Sequence, residues 1–239
     1  MENKVRKIVS GMTKAIKKFN MIENGDKVAV GLSGGKDSLA LLSALSAFQK
    51  FSGENFELIA ITIDQTGGKE NFDGLKKFCE NLQVPLYVEK TDIFEVVFDE
   101  RKEKNPCSLC AKMRRGTLNS KAKSLGCNKV ALAHHCDDLM ETFFLSLLFE
   151  GRLSTFSPVT YLSNVDITAI RPLIYVCEEE IINATKYFPI LKNVCPANHK
   201  TKREEMKNLL KKLDQEFPNA KKQIKNAILN PERNNLINY

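Results

Sequence analysis

The chain has 239 residues, 43% hydrophobic and 27% charged, an ordinary globular balance that suits one α/β domain with additions. It holds no run of eighteen apolar residues, which excludes a membrane-spanning helix and gives no reason to expect a membrane partner. The net charge of +7 is unevenly placed: residues 1–20 carry six Lys/Arg and one Glu, and residues 200–239 carry ten Lys/Arg and five Asp/Glu. Basic ends around a near-neutral middle point to a polyanion such as RNA, or else to a solvated lysine-rich surface.

The first segment, MENKVRKIVSGMTKAIKKF, is basic but has no apolar stretch or small-residue cleavage site, so a cytoplasmic setting is expected. Residues 1–24 read as a basic N-terminal helix. VAVGLSGGKDSLALL (28–42) follows. Val28, Ala29 and Val30 suit a buried strand, and Leu39, Leu41, Leu42 and Leu45 recur at helical spacing. Between them stand Ser33, Gly34, Gly35, Lys36, Asp37 and Ser38. A strand, a glycine turn and a helix start make an anion site, because the first N–H groups of a helix have no internal partner. Lys36 adds a point charge. A Walker A loop is excluded, since its first glycine would fall at Val30. Asp37 beside a polyphosphate suits a magnesium ion, which prefers oxygen ligands.

FELIAITID (56–64) reads as a second strand, LKKFCENL (75–82) as an amphipathic helix and VPLYVEK (84–90) as a third strand. A longer insert, 91–128, holds NPCSLCAKMRRGTL. KVALAHH (129–135) reads as a fourth strand, followed by a helix from about Asp137 to Phe149, and VDITAIRPL (165–173) as another strand. Alternating strands and helices predict an α/β fold, a parallel sheet with helices on both faces. Residues 25–176, with the insert, form the expected nucleotide-binding domain, and 177–239 a basic helical C-terminal region. Ligands in such sheets bind at the carboxyl ends of the strands. The SGGKDS loop, Asp64 and His134–His135 all fall there.

Seven cysteines in such a chain read as buried small hydrophobes, metal ligands or catalytic thiols rather than disulfides. Cys107 and Cys110 form C-x-x-C behind Pro106, a residue suited to a first helical turn, where thiolate is favoured. Cys195 lies far along the chain. A redox pair, a zinc site of Cys107, Cys110, Cys195 and His199, and a cluster held by three cysteines all fit the local spacing. Cys79, Cys127, Cys136 and Cys177 have no partner at ligand spacing and read as buried filler. Arg114 shares a helix face with Cys110 and could stabilise developing phosphate charge; Arg115 reads equally as RNA-facing or surface. In AHHCDDLMET (133–142), Asp137 or Asp138 could position magnesium or orient the acceptor, or merely complement a helix dipole.

The string SGGKDS resembles the phosphate loop of the PP-loop ATP pyrophosphatases, which split ATP between the α and β phosphates. SGGKDS, NPCSLCAKMRRGTL, ALAHHCDDLMETFFLSLL, IRPLIYV and FPILKNVCP together, in this order over about residues 25–200, resemble the tRNA 2-thiocytidine synthetases. The resemblance implies ATP-dependent thiolation of the anticodon-loop cytidine at tRNA position 32. It implies a [4Fe–4S] cluster on Cys107, Cys110 and Cys195, with ATP and Mg²⁺. The ATP site expected from it comprises Ser33, Gly34, Gly35, Lys36, Asp37, Ser38, Ile63, Ala133 and His134. The expected catalytic groups are Asp37, Arg114, Asp137 and Asp138. Expected partners are tRNA, a sulfur donor (a cysteine desulfurase or sulfide) and a second copy of the chain. One departure stands out: a second late C-x-x-C is common in the family, whereas this chain reads Cys195-Pro-Ala-Asn198. Rival readings are a thiouridine- or lysidine-type PP-loop enzyme with structural zinc, and an RNA-binding module without catalysis.

Overall fold

The segment KVAVG forms β1 (Lys27–Gly31), and its three central residues are fully buried. Small and β-branched side chains suit a strand covered on both faces. The computed structural model describes residues 2–101, 106–191 and 202–233, with side chains from residue 5 onward. Before β1 lies α1 (Glu2–Lys18), and after it come α2 (Lys36–Phe51), β2 (Glu57–Asp64), α3 (Asp73–Leu82) and β3 (Leu86–Lys90). A π-helical turn at Glu95–Glu100 leads to α4 (Pro106–Ser124), then β4 (Lys129–Ala131) and α5 (Cys136–Glu150). β5 (Val159–Leu162), β6 (Ile167–Ile170), a 3₁₀ turn at Pro172–Tyr175, α6 (Glu178–Thr185), α7 (Lys202–Glu216) and α8 (Ala220–Leu229) complete the described elements, with a final 3₁₀ turn at Pro231–Arg233.

The six strands form one sheet in the order β3-β2-β1-β4-β6-β5. All neighbours are parallel except β5 and β6. This is the expected α/β architecture with one antiparallel edge that the sequence reading missed. β5 carries no apolar run, because it is a one-sided edge with Tyr161 62% exposed. Its turn into β6 uses Asp166 at φ +50, where the Asp166 carboxylate accepts from Tyr161 Oη at 2.9 Å. β4 is also shorter than the expected 129–135. After Ala131 only Leu132 N–H still reaches Ile170 O, at 2.9 Å, and the chain then leaves the ladder toward α5.

Helices cover both faces. On one face Leu39, Leu41, Leu42 and Leu45 of α2 are fully buried with Ile8 and Met12 of α1 and Leu75 of α3. Each such side chain contributes about 1.5–3 kcal/mol by burial. On the other, Leu118 and Ala122 of α4 pack on Ala29, Ile59, Ile61 and Val130. The basic first helix is therefore part of the main core; Lys14, Lys17 and Lys18 face solvent while Ile8, Met12, Ala15 and Ile16 face inward. Ile181 of α6 joins the same core, and Leu210 of α7 packs with Met140 of α5.

Candidate functional site

The chain runs from β1 outward to β3 and then returns to β1's other side at β4, a topological switch point. Loops 32–35 and 132–135 leave the carboxyl ends of these two neighbours. Between them opens a cleft of about 620 Å³.

Loop 32–35 is shaped by its own serines. Ser38 Oγ donates to Gly35 O at 2.9 Å, Ser33 Oγ lies 3.2 Å from Ser38 Oγ, and Gly35 N–H points to Ser33 Oγ at 3.4 Å. Gly34 has φ +77, which side chains rarely adopt, and Leu191 packs directly on it, donating its N–H to Gly34 O at 3.0 Å. The loop ends at the N-terminus of α2, where free N–H groups and the helix dipole favour an anion. Lys36 Nζ lies 2.9 Å from Asp37 Oδ1 and 3.1 Å from Glu178 Oε1. Burial opposes the Lys36 charge, but these two carboxylates outweigh it and raise its pKa above the ordinary lysine value.

The second loop ends in a reciprocal cap. Asp138 N–H donates to His135 Nδ1 at 3.4 Å, and His135 N–H donates to Asp138 Oδ2 at 3.0 Å. His135 Nε2 then lies 3.4 Å from Asp138 Oδ2 and 3.7 Å from Asp37 Oδ1. One buried imidazole thus sits between carboxylates from the first turns of α2 and α5. These oxygens are hard donors of the kind Mg²⁺ prefers, and in this structure they are paired with cations, Asp37 with Lys36 and Asp138 with Arg203. His134 packs on Phe156, ring centroids 5.1 Å apart, and its Nδ1 is buried without a hydrogen-bond partner. Burial, only partly offset by Asp138, lowers its pKa to about 4, so it is neutral at pH 7.

The third wall comes from the insert. α4 starts at Pro106, as expected, with Cys107 exposed and Cys110 buried one turn on. Cys110 lines the cleft together with Arg114 and Arg115, and its Sγ is 3.1 Å from Gln65 Oε1. Cys195 and His199 lie outside the described residues. Leu191, four residues before Cys195, lines the same cleft as Cys110. Among the described residues, Cys110 offers a thiol at the cleft wall and Cys107 an exposed one a turn earlier on the same helix, soft donors of the kind an iron–sulfur group takes.

Of the expected nucleotide residues, Ser33, Gly35, Asp37, Ser38, Ile63, Ala133 and His134 line the cleft. Gly34 lies under Leu191, and Lys36 is held by Asp37 and Glu178. Arg114, Asp37 and Asp138 line the cleft as well, but Asp137 does not. Its buried carboxylate accepts from Lys221 Nζ at 2.5 Å and from Glu178 N–H at 2.7 Å, tying α5 to α8 and α6. Burial works against that charge, and the Lys221 and Glu178 contacts overcome it, keeping the Asp137 pKa below the ordinary value. Asp64 is buried at a strand end as expected, yet its Oδ1 is taken by Thr66 N–H and Oγ1 at 2.8 and 2.7 Å.

Arg203 of α7 was not foreseen. It lines the cleft, with Nη1 2.9 Å from Asp138 Oδ1 and 3.6 Å from Glu141 Oε2. Burial and the neighbouring Asp138 raise the Glu141 pKa to about 7. Cys136 and Cys177 are not isolated filler either: their sulfurs are 3.2 Å apart. The Cys79 and Cys127 readings fit the structure, both thiols being buried in apolar clusters, which raises their pKa values, that of Cys79 to about 11.

A PP-loop domain model matches residues 6–211. The chain is 37% identical over 237 residues to the tRNA-cytidine(32) 2-sulfurtransferase of Pelobacter propionicus, covering 97% of this chain and 88% of that one. It is 37% identical over 241 residues to the protein of the same name from Geobacter metallireducens, covering 99% and 94%. Among solved structures it is similar to the U34-tRNA thiolase NcsA from Methanococcus maripaludis with its [4Fe–4S] cluster, with a TM-score of 0.77, 25% identity, and coverage of 98% of this chain and 80% of that one. An NAD⁺ synthetase from Burkholderia pseudomallei shares the fold at TM-score 0.52 and 11% identity, covering 97% and 88%. A phosphate loop at the switch point, matched by that domain model and by relatives over nearly its whole length, gives the conclusion: the chain belongs to the PP-loop domain family and, within it, to the tRNA-cytidine(32) 2-sulfurtransferases.

Proposed function

We propose that the chain binds ATP·Mg²⁺ and a tRNA anticodon loop in this one cleft and converts cytidine 32 to 2-thiocytidine. The observation that carries the reading is the convergence, on one 620 Å³ cleft, of the phosphate loop, two carboxylates and the Cys110–Arg114 face of α4. A base locked in a stacked loop cannot present its C2 carbonyl, so the cytosine is extruded into the cleft. Its O2 attacks the α-phosphate of ATP, the bond to the β-phosphate breaks, and pyrophosphate leaves. The loop from Ser33 to Ser38 holds the phosphates through backbone N–H groups, Ser33 and Ser38 hydroxyls shape it, and Lys36 neutralises the polyphosphate. Asp37 and Asp138 would hold a magnesium ion in place of the Lys36 and Arg203 contacts they make here, and the ion would supply charge neutralisation at the phosphates. His135, capping α5 between the two carboxylates, fixes their separation. His134 stays neutral and offers its unpartnered Nδ1 to the nucleotide, with Ile63 and Ala133 as apolar walls. Arg114 faces the charge that develops on the transferring phosphate.

Cys107, Cys110 and Cys195 would hold the [4Fe–4S] cluster; when bound, it supplies an iron position open to sulfide, as three thiolates leave one iron free. C2 of the adenylated base accepts the sulfur, and AMP leaves. Asp137 is a positioning residue for α6 and α8, not part of this chemistry. The exposed basic faces of α1 and α7 follow the tRNA backbone. A sulfide-delivering partner such as a cysteine desulfurase completes the proposal, as does a second copy of the chain in a cytoplasmic homodimer. The exposed apolar end of α5, Leu147, Leu148 and Phe149, supports the second copy.

Asp37→Ala tests the reading. Adenylation, read as pyrophosphate release with tRNA, should be lost while iron content stays that of the parent. Unchanged ATP turnover by that variant would remove Asp37, and with it this magnesium site, from the mechanism.

A further inference from the structure

Of the four thiols that the thiolation chemistry does not use, two lie together. Cys136 is the first residue of α5, fully buried, and Cys177 caps α6, half-buried. They are 41 residues apart in sequence, yet Cys136 Sγ lies 3.2 Å from Cys177 Sγ, with the Cys136 thiol donating. A disulfide bond of about 2.05 Å is reached by closing about 1.1 Å. The pair is electrostatically asymmetric. Lys225 Nζ is 3.9 Å from Cys177 Sγ, and this ammonium with the hydrogen bond from Cys136 favours thiolate at Cys177. The Cys136 thiol is the donor of that bond and also faces the Asp137 carboxylate, 3.5 Å from Oδ2.

Cys136, Asp137 and Cys177 could also be read as metal donors, since their ligand atoms lie within 4.8 Å of one another. Asp137, however, is committed to Lys221 and the Glu178 N–H, and Lys221 and Lys225 place two ammonium groups against the triad. Two cations at the donors oppose a third. They suit a reactive thiolate instead.

The geometry points to Cys136 and Cys177 as a dithiol modification site, which hydrogen peroxide converts to an intramolecular disulfide between the N-termini of α5 and α6. The Cys177 thiolate attacks one peroxide oxygen. The S–O bond forms, the O–O bond breaks, and hydroxide leaves. The Cys136 sulfur then attacks the Cys177 sulfenic acid; the S–S bond forms, the S–O bond breaks, and the departing hydroxide takes the Cys136 proton as water. Overall, two thiols and one peroxide give one disulfide and two waters. The bond would fall between residues that flank the phosphate loop's own contacts: His135 precedes Cys136 and reaches Asp37, and Glu178 follows Cys177 and holds Lys36.

The test uses the full-length protein as purified. It is treated with graded hydrogen peroxide, alkylated after unfolding, digested without reductant and mapped by mass spectrometry. The expected result is a Cys136–Cys177 cross-linked peptide pair that a reductant separates, while Cys79 and Cys127 stay alkylated. Cys177→Ser should abolish the cross-link, and Cys136→Ser should leave a Cys177 sulfenic acid that dimedone traps. Full alkylation of both thiols at peroxide levels that already oxidise Cys107 and Cys110 overturns the inference. So does protection that a chelator removes without reductant, which would mark a bound cation.

Discussion

Gly34→Ala isolates what the phosphate loop demands of its backbone. Gly34 has φ +77, and a Cβ built there would lie 2.6 Å from Leu191 Cδ1, 2.7 Å from its Cγ and 3.0 Å from its Cβ. A left-handed conformation costs an alanine roughly 1–2 kcal/mol. The contacts are about an ångström inside normal carbon separations, and moving a packed side chain that far costs roughly 1–3 kcal/mol more. The total is roughly 2–5 kcal/mol of stability. Gly35→Ala is the matched control, because Gly35 has φ −77 and its added Cβ would meet only Ser33 Oγ at 3.5 Å. There the loss should be about 0.5 kcal/mol, the difference between glycine and alanine at an N-cap. Urea denaturation of both variants and the parent reads these values directly. Equal stability of the two variants, or a Gly34→Ala loss below that of Gly35→Ala, would refute both the strained loop and the seating of Leu191 on it.

Neutralising Lys14, Lys17 and Lys18 together, or Lys211 and Lys212, should weaken tRNA binding and flatten its dependence on log salt by roughly one unit per lost phosphate contact; an unchanged slope assigns them to a merely solvated surface. Cys195→Ser should lose iron and thiolation together, whereas His199→Ala should keep an iron-loaded, active enzyme; metal loss in His199→Ala would favour a closed zinc site. His134 and Glu141 should give opposite pH slopes in stability. The His134 pKa is depressed to about 4, so its contribution is full above about 6.5 and lost as pH falls toward 4. The Glu141 pKa is raised to about 7, so its contribution is full below about 4.5 and lost as pH rises through 7. Denaturation between pH 4.5 and 6.5 should therefore show stability falling with pH in His134→Gln and rising with pH in Glu141→Gln; parallel profiles would contradict both assignments.

The phosphate loop was legible because its chemistry is local. Strand, glycines, lysine and helix start occupy fifteen consecutive residues, 28–42, and the strand order then carries the 132–135 loop to the same edge. The Pro106 helix start was legible for the same reason. Arg203 and Glu178 were not, because they meet Asp138 and Lys36 across 65 and 142 residues of chain, and no periodicity encodes such an encounter. Asp137 and Asp138 look equivalent in sequence. A helix turns about 100° per residue, so one faces the cleft and the other the α6 and α8 interface. β5 escaped notice because a solvent-facing edge strand needs no apolar run, and the Cys136–Cys177 pair because its partners belong to different helix starts.

The most direct test of thiolation at cytidine 32 is a single in vitro reaction. Anaerobically prepared, iron-loaded enzyme is given unmodified tRNA, ATP·Mg²⁺ and sulfide, and the nucleosides are resolved by mass. The account predicts 2-thiocytidine mapped to position 32, formed with one AMP and one pyrophosphate per sulfur and absent when ATP is withheld. Thiolated uridine in its place, or AMP formed with no sulfur entering the tRNA, would contradict it.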